Sequence, residues 1–296
     1  MNTYDLVGDN VTSKQWWNDK RTSLGRFCSN GPAAASVVIL MGFLLGAIFG
    51  PLVVADPYKV SANFRQGPTA AHWFGTDQIG RDVLARVVHG ARTSLTVGVV
   101  GMVSVTVFGV ALGLLAGWRG GFIDSVIMRV VDVLLAFPFV MLAIIIVAVI
   151  GTGLKAILVV TLVVGFGGVA RILRGEVLRV RSLDYIEAAR ASGARGSRIA
   201  LRHVLPNSIQ PIAVTAAGLV ADFIVAEAAL SFLGRGIQEP QASWGLMIAR
   251  SRSFFDEAPH LLFAPGIALV VLSLALVFIG DGVRDALDPR TEQRFF

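Results

Sequence analysis

The sequence predicts an all-α, polytopic membrane protein with six transmembrane helices and a cytoplasmic loop built for docking. Three observations carry this. Of 296 residues, 54% are hydrophobic and only 16% are charged, where a soluble domain carries about a quarter charged residues. Apolar runs long enough to cross a bilayer recur along the chain, which has a mean hydropathy of +0.69. Arginines occur in several loops but are densest in one segment between two of those runs. The formal net charge of +6 does not point to nucleic acid, because the basic residues are spread along the loops without aromatic interleaving or zinc-ligand spacing. Cys28 is the one cysteine, so neither an internal disulfide framework nor a thiolate cluster can form.

The chain divides into an N-terminal tail over residues 1–32, a transmembrane domain over 33–281 and a C-terminal tail over 282–296. The first span, Ala33 to Ala55, follows a polar stretch and lacks an A-x-A site, so it reads as a retained anchor. An amphipathic segment lying outside the membrane is expected near Arg81 to Arg92, with Val83, Leu84, Val87 and Val88 resting on the membrane surface or on a partner. The second span, Thr93 to Gly117, carries Gly109, Gly113 and Gly117, two overlapping G-x-x-x-G steps that favour close helix packing, more within the chain than between subunits. Val133 to Leu154 is the third span. The fourth is a shorter run, Ala156 to Ala170, flanked by Lys155 and Arg171, whose long side chains can snorkel. The fifth, Ile209 to Leu233, is interrupted by Asp222 and Glu227, and the sixth is Leu261 to Gly280. Pro51, Pro138 and Pro265 mark places where a span can kink.

Six spans put both termini on one side. The segment 171–207 holds Arg171, Arg174, Arg179, Arg181, Arg190, Arg195, Arg198 and Arg202, which makes it cytoplasmic, and Lys14, Lys20, Arg21 and Arg26 place the N-terminal tail there too. The asymmetry is moderate, since Lys59, Arg65, Arg81 and Arg86 lie on the other side.

Within that segment, Asp184 to Asn207 reads DYIEAARASGARGSRIALRHVLPN. Asp184 and Glu187 have capping-box spacing, so a short helix is expected from Tyr185. Gly193 and Gly196 interrupt it, and a second short helix over Ser197 to Val204 is expected to end at Pro206. Tyr185, Ala188, Ala189 and Ser192 share one face of mostly small side chains flanked by arginines, the shape of a docking element. No G-x-x-x-x-G-K-[ST] occurs, so a nucleotide-driven motor has to be another chain. His72, His89, His203 and His260 fall outside the spans, and neither H-E-x-x-H nor G-x-S-x-G is present, so no catalytic or metal site is expected. Asp222 and Glu227 are the candidates for a solute path, since an Asp at the centre of a span costs about 2.5–3.5 kcal/mol and tends to face a cavity or a partner; pairing with a polar group on a neighbouring helix is the other reading of Asp222, and a gate or an interfacial hydrogen-bonding group are the readings of Glu227.

Glu187-Ala188-Ala189, Gly193 and Leu205-Pro206 resemble the EAA loop of bacterial ABC importer permeases, and HVLPN, with His203 in place of a bulky apolar residue, resembles the peptide and nickel branch. HWFGTDQIGRDVLARVVHGARTSL (His72 to Leu95), EAALSFLGRGIQEPQASWG (Glu227 to Gly245) and GDGVRDALDPR (Gly280 to Arg290) are similar to segments of the dipeptide and oligopeptide members, with Arg235 and Glu239 where apolar or small residues are usual. The resemblance implies a non-enzymatic permease in the bacterial cytoplasmic (inner) membrane, paired with a homologous second permease subunit. Cytoplasmic ATPase subunits would bind ATP and Mg, with no cofactor in this chain, and an extracytoplasmic binding protein would deliver the solute. It implies coupling to the ATPase through Asp184, Tyr185, Glu187, Ala188, Ala189, Gly193, His203, Leu205 and Pro206. Peptides are the solute expected, with nickel or a nickel chelate as the alternative. A proton-coupled secondary transporter, for which Asp222 is the argument, and a structural scaffold are the readings from other classes.

Overall fold

The computed structural model describes Gly25, Phe27, Cys28 and residues 30–287. Lys14, Lys20, Arg21 and Arg26 of the N-terminal tail lie outside the described residues, as does the end of the C-terminal tail with Asp288, Pro289 and Arg290.

Among the described residues the chain is helical, without a strand. Helix α1 is Gly31–Val53. It starts where the Asn30 side chain accepts from the Ala33 N–H, with Pro32 in the first turn. After an irregular outer loop comes α2, Val83–Arg119, capped by Asp82 through the Ala85 N–H. Then follow α3 (Gly121–Ala136), α4 (Phe139–Ile150), α5 (Leu154–Arg181), α6 (Asp184–Ala191), α7 (Gly196–Ile199), a π turn over Ala200–Val204, α8 (Leu205–Ser208), α9 (Gln210–Phe232), α10 (Trp244–Ser251) and α11 (His260–Leu287). Five of these are long and apolar enough to cross a membrane. They become six when α3 and α4 count as one bent span.

Three expectations about the spans need correction. The segment Arg81 to Arg92 is not a separate surface helix: from Val83 it is continuous with the second span, and Val83 and Val87 are buried against Trp244 of α10. Covering by the chain's own α10 replaced the membrane surface. The third span is not a straight helix over 133–154 but the pair α3 and α4, bent by 101°. Pro138 sits at the break, where it can neither donate a helical hydrogen bond nor allow Phe137 an α conformation, and Phe137 is extended at φ −81° and ψ 137°. The fourth helix runs past its apolar stretch to Arg181, so residues 171–181 belong to α5 and not to a loop.

Packing follows the small residues. A Cβ at Gly109 would lie 2.6 Å from Val169 Cβ, at Gly113 2.6 Å from the Ala170 carbonyl oxygen, and at Gly117 2.8 Å from Val177 Cβ. The G-x-x-x-G stripe therefore seats α2 on α5 within this chain, at a backbone approach that any larger residue would block. Two apolar clusters result. One joins α2, α4, α5, α9 and the 184–204 hairpin around Val105, Val147, Val160, Leu173, Ile186 and Ile199. The other joins α1, α2, α9, α10 and α11 around Val83, Val87, Ile224, Trp244 and Leu272.

Candidate coupling hairpin and polar sites

The hairpin 184–208 is held by few apolar anchors. Ile186 in α6, Ile199 in α7 and Val204 in the π turn have no exposed surface and enter the first cluster beside Val177 and Val180. Sequence reasoning passed over these three; their only signal was isolated large apolar residues in a basic run. The opposite face of α6 is free: Tyr185, Glu187, Ala188 and Ser192 are exposed, while Ala189 is partly buried against the cluster. Asp184 and Glu187 lie in the first turn, where carboxylates oppose the positive end of the helix dipole. No capping box forms, because the helix starts one residue earlier than expected, with Leu183 at the cap position and no side-chain cap bond.

Gly193 ends α6. Its φ of +79° is a left-handed conformation that an L side chain enters at about 1–2 kcal/mol. Its N–H donates to Arg190 O at 2.9 Å and the Ala194 N–H donates to Ala189 O at 3.2 Å, the paired bonds of a Schellman end. Beyond it the chain does not stop at Pro206. The π turn widens the helix over Ala200–Val204 and α8 carries Leu205 and Pro206 on towards α9, so the missing Pro206 N–H interrupts the ladder without turning the chain. His203 is partly buried and its carbonyl accepts from Asn207 Nδ2 at 2.6 Å.

Asp222 and Glu227, five residues apart on α9, have opposite environments. Glu227 is fully buried and accepts from Ser231 Oγ at 2.6 Å and Ser94 Oγ at 3.2 Å; Ser231 Oγ in turn accepts from the Ile237 N–H at 2.9 Å. It ties α9 to α2 and to the loop after α9. With no surface, it lines no open path in this conformation, and the expectation that it does is corrected. Asp222 is exposed on the other side of α9. Among the described residues no three His, Cys, Asp or Glu side chains gather as a metal site. His72 and His89 do not form a pair: His72 Nδ1 lies 2.8 Å from Asp82 Oδ2, and His89 Nδ1 lies 2.8 Å from Ala85 O.

The loop 54–82 and the segment 233–259, which carries α10, form a cap at the end of the molecule opposite the hairpin, locked by ion pairs. Arg81 donates through Nε to Asp77 Oδ2 at 2.6 Å and through Nη1 and Nη2 to both Glu239 oxygens at 2.7 and 3.2 Å, while Arg86 Nη2 reaches Glu239 Oε1 at 3.4 Å. Glu239 thus has a partner that its sequence context did not suggest. Burial alone raises the Glu239 carboxyl, but the Arg81 hydrogen bonds and the charges of Arg86, Arg81 and Arg250 outweigh it and hold the group below its ordinary value. Trp244 has no exposed surface and donates Nε1 to Val87 O at 2.9 Å. An open cleft of about 520 Å³ beside the lock is lined by Tyr58, Gln78, Arg81, Glu239 and Arg250, among others.

Against known proteins, residues 109–293 match the binding-protein-dependent transport system inner membrane component family. The dipeptide transport system permease protein DppC of Alkalihalophilus pseudofirmus is 41% identical over 95% of this chain and 92% of its own. The glutathione transport system permease protein GsiD of Pectobacterium atrosepticum is 39% identical over 97% and 95%, and the oligopeptide transport system permease protein OppC of Bacillus subtilis 36% over 93% and 90%. In structure the chain is similar to an inward-facing MetNI methionine ABC transporter, with a TM-score of 0.55 at 21% identity over 68% of this chain and 96% of that one, a likeness of fold. A helical chain with five or six candidate spans, matched by this family over more than half its length and aligned almost end to end with these permeases, belongs to the family of binding-protein-dependent transport system inner membrane components.

Proposed function

We propose that this chain is one membrane-spanning half of an ATP-driven importer of di- and oligopeptides. The exposed face of α6 carries the reading: small side chains (Ala188, Ser192) beside Tyr185 and Glu187, on a helix whose other side is fixed by Ile186. Such a face admits close approach by a second protein and moves with the core behind it. In this reading a cytoplasmic ATPase subunit, holding ATP and Mg, seats α6. Asp184, Tyr185, Glu187, Ala188 and Ala189 form the contact, Gly193 the bend, and His203, Leu205 and Pro206 the return to α9. Both termini and the hairpin lie in the cytoplasm, the ion-locked cap faces outward to an extracytoplasmic binding protein, and a homologous permease subunit completes the path. Asp222, exposed on α9, is the residue of this chain we assign to that path.

The relatives named for dipeptides, oligopeptides and glutathione favour a peptide over nickel. A strain lacking this chain, with parallel peptide importers deleted, is expected to lose uptake of labelled di- to oligopeptides. Loss of nickel accumulation with normal peptide uptake would overturn the solute. Sidedness is read separately: Gln78→Cys and Ser192→Cys in a Cys28→Ser background should be labelled by impermeant reagents from opposite faces of the membrane.

A further inference from the structure

We propose that Trp118 is the positioning residue that fixes the hairpin to the end of α2, so that a displacement of α6 reaches α2 instead of being absorbed in the hairpin's own bend. The proposal rests on the reading of α6 as the ATPase-docking element.

Trp118 is the penultimate residue of α2 and is partly buried against the first apolar cluster. The Arg190 guanidinium, in the last turn of α6, stands 5.3 Å from the centre of its ring. Gly196, the first residue of α7, faces the ring edge: a Cβ there would lie 3.8 Å from Trp118 Cζ2 and 3.9 Å from Nε1. One indole therefore carries the Arg190 guanidinium of the first arm and stands beside the Gly196 backbone of the second, on either side of the Gly193 turn, with room for no more than a methyl group between them. Arg181, the last residue of α5, donates Nη1 to Gly117 O at 2.7 Å, and so pins the root of the hairpin to the same turn of α2.

Without that contact the hairpin is poorly braced. Ile186 is the one fully buried side chain of the first arm, Ile199 and Val204 hold the second, and a left-handed glycine joins the arms. An indole is rigid and offers a broad face that attracts a guanidinium more strongly than an aliphatic side chain does. The element it serves is stiff. Helix α2 has 37 residues, its glycines lie flush on α5, and near its other end the Val87 carbonyl accepts from Trp244 in the cap. A sideways push on Trp118 thus acts on a helix that is fastened at the cap.

The test uses the assembled transporter in proteoliposomes, with two readouts: amide hydrogen exchange over residues 184–199, and labelled dipeptide imported per ATP hydrolysed. Trp118→Ala is expected to speed exchange in the hairpin by about fivefold to tenfold and to lower the import ratio severalfold while hydrolysis continues. Trp118→Phe, which keeps a ring face for Arg190, should restore most of both. Unchanged exchange, or faster exchange with an unchanged import ratio, would overturn the proposal. If Trp118→Ala fails to assemble, Arg190→Gln removes the cation alone and is judged on the same two readouts. Ala188→Trp, which obstructs the free face of α6, separates this inference from the reading beneath it. Uncoupling by Ala188→Trp with none by Trp118→Ala defeats the inference alone, and uncoupling by neither defeats the docking reading itself.

Discussion

The two ends of the molecule are held by different physics. At the cap, charge and ring are both buried: Arg81 and Asp77 are nearly inaccessible, Glu239 closes on Arg81 with two hydrogen bonds, and Trp244 packs against α2 through Val87 and against Phe43 of α1. At the hairpin, three aliphatic anchors hold a pair of short helices whose polar face stays in solvent. The cap is over-determined, so its geometry is set before anything binds. The hairpin keeps its interior minimal and its surface available, as an element moved by another protein requires.

Removing the ring at the cap should have the largest effect. Trp244→Ala is expected to cost about 3–5 kcal/mol, because it opens a cavity beside Val87 and leaves the Val87 carbonyl without the indole donor. The readout is the thermal midpoint of the solubilised protein, and a change within error would mean that the cap is not a packed core.

Arg81→Ala comes next. It leaves Asp77 and Glu239 without their main partner, and breaking a buried pair in this way costs about 3 kcal/mol. The same lock gives the cap an acid limit. Since Glu239 titrates below its unfolded value, near 4.3 for a free glutamate, its stabilisation is complete above that pH and is lost as pH falls through the lower, folded value. Proteolysis of loops 54–82 and 233–259 should therefore accelerate below about pH 4, and Glu239→Gln should flatten that dependence.

The hairpin should respond in the opposite sense, with small stability effects and large transport effects. Gly193→Ala is expected to cost about 1–2 kcal/mol, from forcing a Cβ into the left-handed region, and the cost should stay local, because beyond its chain neighbours no heavy atom lies within 4 Å of the added carbon. Hydrogen exchange should rise over 184–199 and stay constant in the cap. Smallest of all is Glu187→Ala on the exposed face, within about 0.5 kcal/mol of the parent in stability. Its transport rate should nonetheless fall, and an unaffected rate would remove Glu187 from the coupling contact.

Period, length and charge determined much by themselves. Long apolar runs are satisfied in a bilayer as helices, so the spans α1 and α9 were legible to within two residues, as was the start of α11, which continues past Gly280 to Leu287, and so was the arginine-rich hairpin with its glycine bend. The inward use of Gly109, Gly113 and Gly117 was legible too, because a small-residue stripe is useful only where two backbones meet. Contacts between distant parts of the chain could only be decided by the tertiary structure. Glu239 looked misplaced until α10 brought its loop over Arg81; Val83 and Val87 read as a membrane-surface stripe until Trp244 covered them; Glu227 read as a path residue until Ser94, 133 positions away in sequence, enclosed it. Each of these depends on which helix lies next to which. A helical pattern states how far a side chain points from its neighbours on the same helix, and it is silent about what stands opposite.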